Sequence, residues 1–160
     1  MSYNCYLIQI NLIDNTFDAD GLNKINWTVD ITKESNRDTI QYQTFSMIQD
    51  QFEIIINDDG SGEIADLVAL KQENNEIVLS LYHCKYSSSS QAGRRLADMY
   101  EVCGQAQHSI LWKHAGLKHL FKHINGCNNK WLSDGYSRFI KGELADLENI
   151  EIWQIQYQLD

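Results

Sequence analysis

The chain has 160 residues, of which 43% are hydrophobic, and this is enough for one domain with a buried core. No apolar stretch approaches the roughly 20 residues that span a bilayer, and the first residues show no basic segment leading into an apolar one. We therefore expect a single domain over residues 1–160, cytoplasmic and without a membrane partner.

The formal net charge of −9 argues against a broad surface for nucleic acid, but the charge is unevenly distributed. Residues 85–124 contain six basic side chains against two acidic ones. A local basic segment on an acidic body fits contact with phosphates, and ordinary solvated helix faces are the alternative. The candidate nucleic-acid-binding residues in this segment are Arg94, Arg95, Lys113, Lys118 and Lys122.

Four cysteines are widely spaced, without a CxxC pair or a cysteine–histidine knuckle. This spacing disfavours a disulfide framework and a structural zinc site. We expect free, mostly buried thiols.

The first half of the chain predicts strands separated by polar segments. Tyr3 to Ile13 alternates polar and apolar residues, as a strand does, whereas residues 14–38 are polar and carry only a weak helix signal. Ile40 to Ser46 and Phe52 to Ile56 are predicted strands. Residues 57–62, Asn-Asp-Asp-Gly-Ser-Gly, predict a turn because these residues tolerate positive φ angles.

Two apolar runs then predict a hairpin. Glu63 to Leu70 is a predicted strand around Asp66, Lys71 to Asn75 a predicted turn, and Glu76 to Tyr86 the returning strand.

Helical spacing dominates the next part of the chain. A helix is predicted from about Gln91, with a buried stripe formed by Leu96, Met99, Tyr100, Cys103 and Ile110. A second amphipathic segment buries Leu117, Leu120, Phe121 and Ile124 and is predicted to break at Asn125 to Asn129. Residues 150–159 alternate again and predict a final strand. This order predicts an α/β domain with a central mixed β-sheet flanked by helices.

The four histidines of this region are predicted to lie on a helix surface. His119 and His123 are four residues apart, but no glutamate completes a HExxH pattern. The same interpretation applies to His108 and His114.

Asp66 and Lys85 are the residues whose placement predicts chemistry. A carboxylate within an apolar segment is costly unless a charge pairs with it, and Lys85 ends the next apolar segment. A buried salt bridge is one interpretation. The other is a site for phosphodiester hydrolysis, in which Asp66 holds a cation such as Mg²⁺ and Lys85 orients the attacking water.

An aspartate on one strand, followed by an acid-x-lysine motif on the next, resembles the PD-(D/E)xK, or restriction-endonuclease-like, nucleases. Asp66 matches the motif aspartate, and His83-Cys84-Lys85 matches the second motif. The resemblance covers roughly residues 52–112. It implies a restriction-endonuclease-like core that cleaves nucleic acid with Mg²⁺ or Mn²⁺.

The resemblance also implies roles for individual residues. Asp66 would be a metal ligand and Lys85 the water-positioning residue. His83 stands where the family has an acid; its imidazole can ligate a metal, although it suits softer ions. The missing carboxylate is left open among Asp58, Asp59, Glu63 and Glu101. Residues 98–107 resemble the helix from which some members supply a glutamine, so Glu101 and Gln105, on one helix face, are further candidates.

These residues predict a metal-dependent nuclease acting on DNA. The resemblance also implies that so small a chain works beside a helicase or another targeting subunit, as in phage-defence systems, and a homo-oligomer stays open. The alternatives are a catalytically inactive domain of the same fold that binds nucleic acid or mediates assembly, and an interaction protein of another fold.

Overall fold

The structure is a computed structural model that describes residues 6–13, 39–60, 62–74, 76–84 and 96–157. In chain order the elements are β1 (Tyr6–Ile13), α1 (Ile40–Ile48), β2 (Ile54–Asn57), β3 (Leu67–Glu73), β4 (Glu76–Cys84), α2 (Leu96–Ala115), α3 (Leu117–Leu132), β5 (Phe139–Lys141) and α4 (Leu144–Tyr157). The α/β class is therefore confirmed.

The five strands form one sheet in the order β1-β4-β3-β2-β5. β1 runs parallel to β4, and the other neighbours are antiparallel, so the sheet is mixed as predicted. Its central strands are buried on both faces. Ile55, Leu67 and Ala69 pack with Ile48 on the α1 side. Alternate residues of the same strands form a larger core with α3 and α4. Helices therefore flank both faces of the sheet.

The strand predicted from Ile40 to Ser46 is wrong, because this segment is the helix α1. Thr39 caps the helix by accepting a hydrogen bond from the Tyr42 backbone amide at 3.2 Å. Ile40, Thr44 and Ile48 are buried at helical spacing. Packing of this stripe against the sheet outweighs the strand propensity of the β-branched and aromatic residues.

The predicted hairpin is confirmed with shifted boundaries. β3 begins at Leu67, so Asp66 lies immediately before the strand rather than within it. The same strand continues through Lys71 to Glu73, where a turn was predicted. Asn74, with φ of 51°, takes the left-handed conformation that a tight turn requires.

The predicted buried stripe of α2 is wrong. Leu96, Met99, Tyr100, Cys103 and Ile110 are all exposed. Among the α2 side chains that the structure describes, the buried ones are instead Val102 and Ser109. Ser109 faces inward because its hydroxyl has polar partners there, and this rotates the apolar residues on which the prediction relied toward the surface.

The core side of α3 is confirmed, since Leu117, Leu120, Phe121 and Ile124 are all buried. The break predicted at Asn125 to Asn129 is wrong, because the helix continues to Leu132. Asn128 is buried there and accepts a hydrogen bond from the Arg138 backbone amide at 2.8 Å. This tertiary contact offsets the low helix propensity of asparagine.

The predicted final strand is also wrong, since residues 150–157 belong to α4. Leu147 and Ile150 are buried three residues apart, which is helical spacing. The Asp146 carboxylate accepts a hydrogen bond from the Glu143 backbone amide at 2.9 Å and stabilises the start of the helix. None of the described helices is long and apolar enough to cross a membrane.

Candidate metal centre

The loop between β2 and β3 brings three carboxyl groups together. Ligand oxygens of Asp59, Glu63 and Asp66 lie within 4.8 Å of one another, and we call these residues the acidic cluster. The loop is closed by its own backbone: the Asp58 amide donates to the Asp66 carbonyl at 3.1 Å. The Gly60 amide donates to Glu63 Oε2 at 2.8 Å. The acidic cluster is therefore held by local hydrogen bonds.

Asp66 is the most enclosed member of the acidic cluster, with 6% of its surface exposed. Its Oδ2 accepts a hydrogen bond from the Cys84 backbone amide at 2.8 Å, and its Oδ1 accepts one from Gln41 Nε2 at 3.2 Å. Burial raises the pKa of Asp66 to about 7, the Cys84 amide opposes this shift, and the charges of Glu63 and Asp59 increase it. Without a cation, this carboxyl group therefore retains a proton far above its usual range.

The other two carboxyl groups have the same tendency. Burial raises the pKa of Asp59, and a hydrogen bond with Glu63, the charge of Arg138 and a hydrogen bond from Gln41 partly offset this shift. Burial likewise raises the pKa of Glu63, and the charge of Asp59 contributes to the increase. All three carboxyl groups therefore have raised pKa values, and a bound divalent cation would favour their ionised forms.

His83 lies beside Asp66, and within the described part of the chain one of its ring nitrogens has no hydrogen-bond partner. Its side chain is 1% exposed, and its Nε2 lies 2.8 Å from Ser109 Oγ. Ser109 Oγ itself donates to the Ile64 carbonyl at 2.5 Å, so it accepts the Nε2 proton of His83. This fixes the tautomer, and Nδ1 keeps a lone pair that has no hydrogen-bond partner among the described residues, 3.8 Å from Asp66 Oδ2.

The contact between His83 and Asp66 is not an ion pair. Burial lowers the pKa of His83 to about 4, with a further contribution from His108, so the ring is neutral at physiological pH. A neutral imidazole with an available Nδ1 lone pair can accept a hydrogen bond or ligate a metal. The structure thus brings His83 to Asp66, as the sequence predicted.

Gln105 also reaches the acidic cluster, because its Nε2 donates to Glu63 Oε1 at 3.4 Å. Glu101, one turn earlier on α2, is exposed. Among the described residues, Asp59 and Glu63 lie close enough to Asp66 to hold a metal ion together with it, and Glu101 belongs to no such group. Of the four carboxylates left open by the sequence, these two therefore accompany Asp66.

Two residues of this site were missed from the sequence. Gln41 donates to Asp66 from α1, a segment whose alternating pattern predicted a strand. Ser109 orients His83, although nothing distinguishes this serine in the sequence. Both contacts join residues at least 25 positions apart, so local spacing carries no signal for them.

Several predicted site residues lie beyond what the structure describes. Lys85, Arg94 and Arg95 are outside the described residues, and so is the side chain of Lys113. The Cys84 amide that contacts Asp66 belongs to the residue immediately before Lys85. The role of Lys85 stays a prediction.

The two remaining basic candidates are exposed on α3. Lys118 and Lys122 line a groove with Leu144, Leu147 and Glu148 of α4. Their contact with nucleic acid stays a prediction.

The surface position predicted for the histidines holds for three of them and is wrong for His123. His108, His114 and His119 are exposed. The His123 side chain is partly buried, with 19% of it exposed. His123 Nε2 lies 3.0 Å from Asp58 Oδ2 and 3.5 Å from Cys127 Sγ. The reason is that Asp58, predicted as part of a plain turn, points from the loop toward α3.

The sequence matches no model of a known protein family and no curated protein, and the structure matches no solved structure. The functional assignment therefore rests on the side chains and their geometry.

Proposed function

We propose that this chain is a divalent-metal-dependent nuclease that hydrolyses phosphodiester bonds in DNA, with a restriction-endonuclease-like core. The observation that carries the proposal is the convergence of Asp59, Glu63 and Asp66 within 4.8 Å at the ends of β2 and β3. The unpaired Nδ1 of buried His83 beside Asp66 is a second observation that points to a ligand.

The donor set fits a hard cation. Three carboxylates offer oxygen ligands, which Mg²⁺ and Mn²⁺ prefer, and His83 Nδ1 adds a nitrogen that Mn²⁺ accepts more readily than Mg²⁺. The Cys84 amide and Gln41 orient the two oxygens of Asp66, as outer partners of metal ligands commonly do. When bound, the cation would polarise the phosphate and lower the pKa of a water molecule.

The chain's own residues have separate tasks in this proposal. Asp66 anchors the cation, and Asp59 and Glu63 complete the anionic side of the site. Lys85, through its resemblance to the motif lysine, orients the attacking water and offsets negative charge on the phosphate. The water oxygen forms a bond to phosphorus, the bond to the leaving oxygen breaks, and the water proton ends on solvent or on the leaving group.

The alternative is a catalytically inactive domain of the same fold that binds nucleic acid or mediates assembly. One observation favours it: His83 stands at the acid position of the motif and is neutral, so it contributes no negative charge to hold a cation. The two functions differ in whether the folded chain has metal-dependent activity.

The test is cleavage of linear and circular DNA, single and double stranded, by the full chain with Mg²⁺, Mn²⁺ or EDTA. We expect cleavage with either metal and none with EDTA. Asp66→Asn and Lys85→Ala should lower the rate at least about 100-fold, equal to about 2.7 kcal/mol of transition-state stabilisation.

A matched pair of glutamates controls for general effects of charge removal. Glu63→Gln should lose activity like Asp66→Asn, whereas Glu53→Gln should keep it, because Glu53 is exposed and precedes the opposite end of β2. A well-folded chain that cleaves none of these substrates would favour the inactive domain. An active parent whose Asp66→Asn and Lys85→Ala variants are equally active would show that these residues do not form the active site.

A further inference from the structure

A second group of ligand atoms lies on the other side of the same loop. Asp58 follows β2, and His123 and Cys127 are four residues apart on one face of α3. One ligand atom from each residue lies within 4.8 Å of the others. We call these three residues the cysteine–histidine cluster. It shares no residue with the acidic cluster.

Three atoms converge on a single nitrogen of this cluster. His123 Nε2 lies 3.2 Å from Asp58 Oδ1, 3.0 Å from Asp58 Oδ2 and 3.5 Å from Cys127 Sγ. A ring nitrogen carries either one proton or one lone pair, so it cannot donate to the carboxylate and accept from the thiol at once. A cation at the centre of the three groups would satisfy all of them.

The distances also match the edges of a zinc tetrahedron. Zinc binds nitrogen and carboxylate oxygen at about 2.0–2.2 Å and sulfur at about 2.3 Å, which gives nitrogen–oxygen edges of about 3.3 Å and nitrogen–sulfur edges of about 3.5 Å. The corresponding distances here are 3.0–3.2 Å and 3.5 Å. The sulfur–oxygen distance is within 4.8 Å.

Neighbouring groups hold the ligands in place. The ring of His123 packs against Trp112, with 5.1 Å between centroids. Asp58 Oδ2 accepts a hydrogen bond from the Ile64 amide at 2.8 Å. Arg138 lies 3.5 Å from Asp58 Oδ1, but its closer contacts are the carbonyls of Asn57 and Asp59.

The same geometry excludes a catalytic triad. In a triad, the acid binds one ring nitrogen of the histidine and the nucleophile the other. Here Asp58 and Cys127 both face Nε2. Burial and the charge of Asp58 also raise the pKa of the Cys127 thiol, which makes it a poorer nucleophile at neutral pH.

We propose that Asp58, His123 and Cys127 form a second metal site that takes a zinc-like divalent ion through carboxylate oxygen, Nε2 and Sγ. Imidazole and thiolate together select borderline and soft ions over Mg²⁺. Three protein ligands and partial exposure of His123 and Cys127 leave a fourth position for water. This site does not depend on the nuclease activity.

The test uses Co²⁺ as a spectroscopic probe and Zn²⁺ in competition with a chromophoric chelator, both with the full chain. A cobalt–thiolate bond gives a near-ultraviolet charge-transfer band, which oxygen and nitrogen ligands do not give. We expect this band with one equivalent of Co²⁺ and its loss when Zn²⁺ is added. Cys127→Ser should abolish the band and weaken Zn²⁺ binding at least about 100-fold, since even outer partners of ligands contribute 10–100-fold.

Three controls separate metal binding from structural effects. His123→Gln keeps a side-chain amide that can donate to Asp58, so it should fold normally and still lose Zn²⁺ affinity. Cys103→Ser removes an exposed free thiol on α2 and should leave the band intact. Asp66→Asn should also leave it intact. Absence of the band from the parent chain, or its survival in Cys127→Ser, would overturn the proposal.

Discussion

Two clusters of potential metal ligands begin at adjacent residues, Asp58 and Asp59, and differ in almost every other respect. The acidic cluster offers oxygen donors and faces Gln41 on α1 and Gln105 on α2. The cysteine–histidine cluster offers oxygen, nitrogen and sulfur and faces α3. Two neighbouring aspartates are thus directed to different chemistry by the helices that the fold places on each side of the loop.

The contrast lies in the partners of each carboxylate. Asp58 lies against His123, Arg138 and the Ile64 amide, which are basic or hydrogen-bonding partners. Asp66 has two other carboxyl groups nearby and little solvent, which destabilise its charge. Environment rather than residue type therefore accounts for the raised pKa of Asp66.

The largest effect that tests this contrast is a pH-dependent change in stability on Asp66→Asn, measured in EDTA. The pKa of Asp66 is about 7 in the folded chain against an ordinary value of 3.8. The folded state therefore binds the Asp66 proton more tightly than the unfolded state does. The stability that this proton contributes to the folded chain is lost as pH rises from about 4 to about 7. Relative to the parent chain, Asp66→Asn should gain up to about 4 kcal/mol of unfolding free energy over this range.

The parent chain alone would hide this effect. His83 has a pKa lowered to about 4, so its contribution to stability rises with pH between about 4 and 6.5 and opposes that of Asp66. The difference between parent and variant removes the shared His83 contribution. Urea unfolding at several pH values measures this difference in unfolding free energy. Asp50→Asn, at an exposed aspartate, is the control. A difference that is constant from pH 4 to pH 8 would show that Asp66 ionises normally.

The sequence predicted the parts of the site that depend on local pattern. The apolar runs that contain Asp66 and His83 predicted neighbouring strands, and the register pairs Leu67 with Tyr82, which brings the two residues together. The stripe of Leu117, Leu120 and Ile124 likewise predicted the core side of α3. Each prediction used a period that the hydrophobic pattern records directly.

The missed parts depend on contacts between distant residues. Over a short segment, the alternating polar and apolar residues of α1 and α4 fit both the period of a strand and the period of a helix. Packing against the sheet selects the helix. Ser109 and His123 are polar residues on amphipathic helices, where exposure is the usual expectation. Each turns inward because one partner, His83 or Asp58, is present across the fold.

An intermediate effect tests whether His83 belongs with the acidic cluster. Ser109→Ala removes the acceptor that fixes the His83 tautomer and leaves a buried Nε2–H unpaired, which should cost about 1–3 kcal/mol of stability. With the tautomer no longer fixed, Mn²⁺ affinity should fall about tenfold. Ser46→Ala is the control, because its hydroxyl bonds only a carbonyl of its own helix, Tyr42, at 3.0 Å. Equal losses for the two variants would mean that Ser109 does not orient a ligand.

The smallest effect concerns Lys118 and Lys122 on α3. It decides which side of the molecule nucleic acid approaches. Lys118 and Lys122 line the groove against α4, and neither contributes to the two ligand clusters. If they contact phosphates, Lys118→Ala and Lys122→Ala should each weaken DNA binding to a similar extent for all sequences and reduce the salt slope by about 1. Binding is measured in EDTA, so that cleavage does not interfere, with the exposed Lys130→Ala on the last turn of α3 as control. An unchanged salt slope in both variants would place the DNA elsewhere, because a lysine that releases no counterion on binding touches no phosphate.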